Sequence, residues 1–150
     1  MLPLIERIKL NSTGLDYGCG PGPALSLMLR EKGYQMFNYD PFFHPTKRNL
    51  LKKYDFISCT ETAEHFYNPF CEFTRFNELL NNDGIIGIMT NFHSEKDIFE
   101  NWYYIKDPTH VVFYNKKTFR IIAKIFDWDC EFLGNNLVFL KKNYNEVLNY

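Results

Sequence analysis

Apolar and polar residues change their spacing several times along the chain, and the changes mark its elements. Residues 13–17 form a short apolar-leaning run ending in glycine, the pattern of a strand entering a turn. Residues 23–32 shift to helical spacing, with Leu25, Met28 and Leu29 on one face and Gly33 as the stop. Strands are predicted again at 34–39, ending at Asp40, and at 54–59. Residues 70–80 return to helical spacing; Phe73, Phe76, Leu79 and Leu80 share a face, and Pro69 fits its start. Residues 85–90 are a continuous apolar strand of the kind covered on both faces. A polar and aromatic stretch over 91–115 leads to a helix at 118–126. Residues 130–133 and 137–141 then flank Gly134-Asn135-Asn136 as an antiparallel hairpin. Alternating strands and helices closed by a hairpin predict an α/β sheet, mostly parallel with one reversed strand.

The chain has 150 residues, enough for one domain spanning 1–150 with one core. Lys plus Arg number 17 against 18 Asp plus Glu, a net charge of -1 that argues against a general grip on nucleic acid or anionic lipid. Aromatics make up 18% of the residues, which excludes disorder for the chain as a whole. Cys19, Cys59, Cys71 and Cys130 form no C-x-x-C pair, so neither a zinc ribbon nor a disulfide framework is expected. No apolar run reaches the roughly 18 residues of a membrane span, and charge interrupts the N-terminus where a signal peptide needs apolar residues. A cytoplasmic protein is expected.

The strongest chemical signal is Gly14-Leu15-Asp16-Tyr17-Gly18-Cys19-Gly20-Pro21-Gly22-Pro23, between a strand and a helix. Glycines there let the backbone turn sharply and approach a ligand, and the helix start beyond offers free N–H groups. Gly-Lys-Ser/Thr is absent, which argues against a P-loop. A dinucleotide fingerprint would need glycine where Pro23 stands, which disfavours a nicotinamide enzyme. The Asp-x-Gly-x-Gly-x-Gly pattern resembles the first motif of the class I S-adenosylmethionine-dependent methyltransferases.

Other segments match that family in order: Asp40 at the second strand end, 54–59 as its fourth strand, Leu79-Leu80-Asn81-Asn82-Asp83-Gly84 before its fifth, and Asp107-Pro108-Thr109-His110 before the last helix. The resemblance implies a Rossmann-like sheet and S-adenosylmethionine as cofactor. It places the cofactor at Asp16, Gly18, Cys19, Gly20, Gly22, Asp40, Pro41, Thr60 and Glu61, with Asp40 accepting the ribose hydroxyls. The acceptor is expected to be a small molecule, with oxygen favoured over nitrogen or carbon.

Two departures from the family stand out. Only 13 residues, 41–53, separate Asp40 from the fourth strand, too few for a third strand and its flanking helices. That strand is therefore expected to be shortened or absent, and with it the carboxylate that reads the adenine amino group. Only residues 1–12 precede the first motif, so a second copy or a partner chain is a candidate to cover the cofactor.

Removing a proton from the acceptor calls for a base, and histidine titrates in the right range. His65, just past the fourth strand, and His110, before the last helix, are the candidates; His44 and His93 have no such placement. Glu61-x-x-Glu64-His65 resembles a segment of ubiquinone-biosynthesis O-methyltransferases whose side chains hold a divalent cation. The other reading gives Glu61 to the cofactor and leaves Glu64 and His65 to orient the loop, and no metal is expected. The aromatics Phe92, Phe99, Trp102, Tyr103, Tyr104, Phe113 and Tyr114 could line an acceptor pocket or pack the core. A degenerate domain that binds without turnover is the rival to an enzyme.

Overall fold

The computed structural model describes residues 2–94 and 98–144, so residues 1, 95–97 and 145–150 of the expected domain lie outside the described residues. A short helix α1 (Leu2–Ile5) leads to β1 (Thr13–Tyr17), α2 (Ala24–Glu31), β2 (Gln35–Tyr39), β3 (Tyr54–Thr60), α3 (Pro69–Leu79) and β4 (Leu80–Met89). Then come α4 (Lys116–Phe126), β5 (Trp128–Leu133) and β6 (Leu137–Lys142). One six-stranded sheet runs in the order β2-β1-β3-β4-β6-β5. The first four are parallel, and β6 inserts antiparallel between β4 and β5. The expected fold class is the one observed: a Rossmann-like sheet, mostly parallel, closed by an antiparallel hairpin.

Among the described residues no third strand lies outside β2. Residues 41–53 instead form an isolated bridge between Asp40 and His44 and a 3-10 helix, Lys47–Leu51. The bare edge of β2 is capped by side chains. Arg30 donates to the Met36 carbonyl at 2.8 Å, and the Asn49 amide donates to that of Asn38 at 2.9 Å. An edge so occupied offers little template for pairing with another chain.

Period-two alternation sorts the strand residues between two layers. Leu15, Ile57, Cys59, Ile86, Ile88, Val138 and Leu140 pack under α3 and α4, against Phe73, Phe76 and Phe119. Met36, Phe56, Ile85 and Phe139 pack on the other face, with Leu29 of α2 and Leu4 of α1. The segment before β1 therefore lies over β4 and β6, where Arg7 sits over the Phe139 ring at 4.4 Å and pairs with Glu131. None of its described residues lines the cleft described below.

Helix and strand ends differ from the sequence reading where local chemistry sets them. α4 starts at Lys116 because the Asn115 side chain accepts the Thr118 amide at 2.8 Å, an N-cap. β4 begins at Leu80, opposite Tyr54, and resumes its register only at Ile85, opposite Phe56. Residues 81–84, expected to precede the strand at 85–90, are thus a bulge inside it, with Asp83 at φ 61°.

Candidate active site

At the carboxyl ends of β1, β2 and β3, a cleft of about 710 Å³ opens on the α3 side of the sheet. Ligands of open α/β sheets bind at this edge, where the strand order reverses. Gly18, Gly20, Asp40, Pro41, Glu61 and His65 all line it, together with Tyr17, Thr62, Phe66, Glu72, Arg75 and Thr109. Asp16, Cys19, Gly22, Thr60 and His110 do not line it.

The glycine loop shows two separate reasons for glycine. Gly18 has φ 74°, and a Cβ there would sit 2.1 Å from the Thr62 side chain. It is a close-packing position: the Thr62 hydroxyl lies 3.1 Å from the Gly18 carbonyl and 2.9 Å from that of Thr60, locking the loop to the end of β3. Gly20 has φ 63°, yet a Cβ there would meet no atom within 4 Å. Open space beside a bare backbone in the cleft is what a closely approaching ligand requires. The expected cofactor fits this cradle.

Alternation along β1 sends Asp16 to the α2 side, away from the cleft. Its carboxylate accepts from the hydroxyls of Ser58 at 2.9 Å and Ser26 at 3.3 Å. Burial raises its pKa above the usual carboxylate range, and the two hydroxyls oppose that rise. Asp16 therefore joins β1 to β3 and to α2, the elements on either side of it. Cys19 is also turned in, and burial followed by the charges of Asp16 and Asp40 pushes its thiol up to about 12. It is a protonated thiol at neutral pH, not a nucleophile.

Asp40 is buried at the end of β2. It accepts the Gly20 amide at 3.1 Å on one oxygen and the Phe42 and Phe43 amides at 2.9 and 3.0 Å on the other. A carboxylate offers roughly four acceptor sites. Three are filled by the backbone, leaving about one for a ligand hydroxyl.

On the opposite wall, Glu61 ends β3 at φ 46°, with its amide bound to the Met89 carbonyl at 2.8 Å. The Tyr104 hydroxyl donates to fully buried Glu64 and lies 3.3 Å from Glu61. Burial, then the charge of Glu64, raises the Glu61 pKa. The Glu64 oxygen Oε2 is buried with no hydrogen-bond partner among the described residues.

His65 and His110 come together, their rings 5.0 Å apart. His65 Nδ1 lies 2.9 Å from the Thr109 carbonyl and His110 Nδ1 2.8 Å from the Tyr104 carbonyl. A carbonyl can only accept, so each Nδ1 carries hydrogen and each Nε2 is left as the basic nitrogen. One ligand atom each from Glu64, His65 and His110 falls within a span of 4.8 Å. Among the described residues that group, with His110 in place of Glu61, is the one close enough to converge on a cation. The aromatic residues of 91–115 resolve toward packing: Phe92 and Tyr114 join the core with Phe119, and Phe99, Trp102 and Phe113 form their own cluster. None of the seven lines the cleft.

Sequence reading missed Tyr17, Thr62, Glu72, Arg75 and Tyr104. Glu72 and Arg75 carried a signal, being charges at i, i+3 spacing on α3; Tyr104 stood in an aromatic-rich run with nothing to single it out.

Comparison with known proteins fits this geometry. The model of a family described as "Methyltransferase domain" matches residues 1–131. No protein of curated function matches the chain significantly. Among solved structures, an S-adenosylmethionine-dependent methyltransferase of Methanosarcina mazei superposes with TM-score 0.74 at 12% identity, covering 97% of this chain and 99% of its own. The Burkholderia thailandensis 1,6-didemethyltoxoflavin-N1-methyltransferase, bound to 1,6-didemethyltoxoflavin and S-adenosylhomocysteine, gives 0.63 at 12% identity over 90% and 72%. A chain of the complex between the Haloferax volcanii Trm112 methyltransferase activator and its methyltransferase partner gives 0.67 at 11% over 91% and 85%.

Proposed function

Because the chain belongs to the methyltransferase-domain family, we propose that it is an enzyme that binds S-adenosylmethionine in the cleft and methylates a small-molecule acceptor, at oxygen. The observation that carries this reading is the Gly20 cradle: open space at a positive-φ glycine, with Asp40 holding its amide. The cofactor supplies the methyl group on a positively charged sulfur, ready for in-line displacement. The chain has three tasks beside it. Gly20 leaves room at the loop, Gly18 lets it pack against Thr62, Cys19 and Gly22 shape it from behind, and Asp16 joins β1 to β3 and α2 on the far side. Asp40 and Pro41 line the ribose side, and Thr60 and Glu61 carry the opposite wall. His65, with Nδ1 held by a carbonyl, takes the acceptor proton at Nε2, and His110 orients it or serves as the base itself. The scheme uses no metal ion.

The domain is proposed to span residues 1–150 and to act in the cytoplasm; no described helix is long and apolar enough to cross a membrane.

A second reading, binding without turnover, is favoured by one observation: Leu4, Ile5 and Ile8 pack on the far face, and none of the described residues 2–12 lines the cleft. A second copy or a partner chain would then cover it. One of the solved structures of similar fold is a complex with the Trm112 methyltransferase activator.

Calorimetric titration with S-adenosylmethionine, followed by transfer of labelled methyl groups to a panel of phenols, alcohols and amines, tests both readings. Binding with turnover supports the enzyme. Binding without turnover, relieved only by an added partner, supports the second reading. Absence of binding by the folded chain overturns both.

A further inference from the structure

Among the described residues the sheet ends at β2, with no strand beyond it to bring a carboxylate to the cleft. A carboxylate reaches the cleft from a different element. Glu72 lies in the first turn of α3, and its side chain lines the same cleft as Gly20 and Asp40. Its two oxygens are used unequally. Oε2 accepts both the Tyr17 hydroxyl and the Arg75 guanidinium, the latter at 2.7 Å. Arg75 also donates to the Tyr17 hydroxyl at 2.7 Å, closing a three-membered polar cluster. Oε1 has no hydrogen bond among the described residues, and the side chain is 22% exposed. The cluster holds the side chain through Oε2 and leaves Oε1 free, among the described residues, to accept from a ligand in the cleft it lines.

The other two cleft carboxylates are committed elsewhere. Asp40 holds three backbone amides. Glu61 is drawn toward Glu64 and Tyr104, on the side of the histidines. The Tyr17 ring that Glu72 holds has the rings of Tyr39 and Phe66 at 5.1 and 6.3 Å, and these three line the cleft together with Phe42, a wall suited to a planar base.

We infer that Glu72, pinned by Tyr17 and Arg75, accepts the exocyclic amino group of the cofactor's adenine and so supplies from α3 what the missing strand does not. The inference rests on the cofactor reading above. A carboxylate oxygen only accepts, and the 6-amino group of adenine is a donor, so the pairing is selective for a base with a donor at that position. A site built to pair such a group discriminates against an analogue that lacks it.

The test is calorimetric and needs no acceptor. S-adenosylhomocysteine and its purine analogue, which lacks the 6-amino group, are titrated into the native chain and into Glu72→Leu and Glu72→Gln. The native chain should bind the adenine ligand at least tenfold more tightly. That ratio should fall to about one in Glu72→Leu and to an intermediate value in Glu72→Gln, which keeps a neutral acceptor. A purely structural role for Glu72 would weaken both ligands together and leave the ratio unchanged. A native ratio near one overturns the inference while the cofactor reading survives, and so does a ratio preserved in Glu72→Leu. Failure of the native chain to bind either ligand removes both. The native ratio needs no variant, so the test stands even if Glu72→Leu does not fold.

Discussion

The Asp40 carboxylate accepts the Gly20 amide at 3.1 Å, and this one hydrogen bond ties the end of β2 to the glycine loop that follows β1. The same side chain fixes the turn after β2 through the amides of Phe42 and Phe43. Asp40→Ala therefore frees three amides at once. Each buried donor left unpaired costs about 1–3 kcal/mol, less where water can enter. We expect a lower melting temperature together with at least tenfold weaker binding of S-adenosylhomocysteine. Asp40→Asn, which keeps one acceptor oxygen, should fall between. Calorimetry and thermal unfolding on the three proteins check this; native affinity in Asp40→Ala would remove Asp40 from the site.

Asp16 makes a prediction about pH rather than binding. Burial raises its pKa in the folded chain above that of the unfolded chain. The native state thus holds this proton more tightly, and the resulting stability is complete below the unfolded value and lost as pH rises through the folded one. Asp16→Asn removes the titration. The melting temperature of Asp16→Asn minus that of the native chain should accordingly increase from about pH 4 to about pH 7. A flat or falling difference would mean that the Ser26 and Ser58 hydroxyls outweigh desolvation.

How much of this was legible in the sequence follows from what each feature depends on. β1, the glycine loop and Asp40 are local signals: a short strand, a loop of glycines and an acid at a strand end. The absent third strand was legible as simple shortage of chain between Asp40 and Tyr54. The side to which Asp16 points follows from strand alternation, but only once a face has been assigned to each neighbour. Nothing in the sequence joins Tyr17 to Glu72 and Arg75, because a contact across 55 residues is made by the packing of α3 on β1. The pairing of His65 with His110 has the same origin, the backbone of 109–112 folding against Glu64 and His65.

The histidine pair predicts a division of labour. If His65 takes the acceptor proton, His65→Ala should lower kcat by ~10²–10⁴ with little change in cofactor affinity. His110→Ala should cost less, since His110 does not line the cleft. The measurement is single-turnover methyl transfer with an acceptor found by screening. Equal and complete losses in both variants would point to a unit in which neither acts alone.

Chelation tests the metal-free scheme. Glu64, His65 and His110 can present three ligand atoms within 4.8 Å of one another. Turnover after exhaustive dialysis against EDTA should match that of the untreated protein. A loss reversed by a divalent cation would give that group the role of holding the ion, and His65 would then be a ligand rather than a base.

The last prediction separates two glycines that look alike in the sequence. Gly18 and Gly20 both have positive φ, so alanine strains the backbone at either. They differ in what surrounds them. A methyl at Gly18 would drive into Thr62, which itself holds the loop to β3. A methyl at Gly20 would enter open cleft. Gly18→Ala should therefore lose stability first, and pairing it with Thr62→Ser should recover part of the melting temperature by removing the Cγ2 methyl that the new Cβ meets. Gly20→Ala should melt closer to the native chain but bind S-adenosylhomocysteine at least tenfold more weakly, because the added carbon occupies the ligand's space. Thermal unfolding and calorimetry on both variants decide the matter. If Gly20→Ala binds as tightly as the native chain, the open space beside Gly20 is not where the cofactor lies.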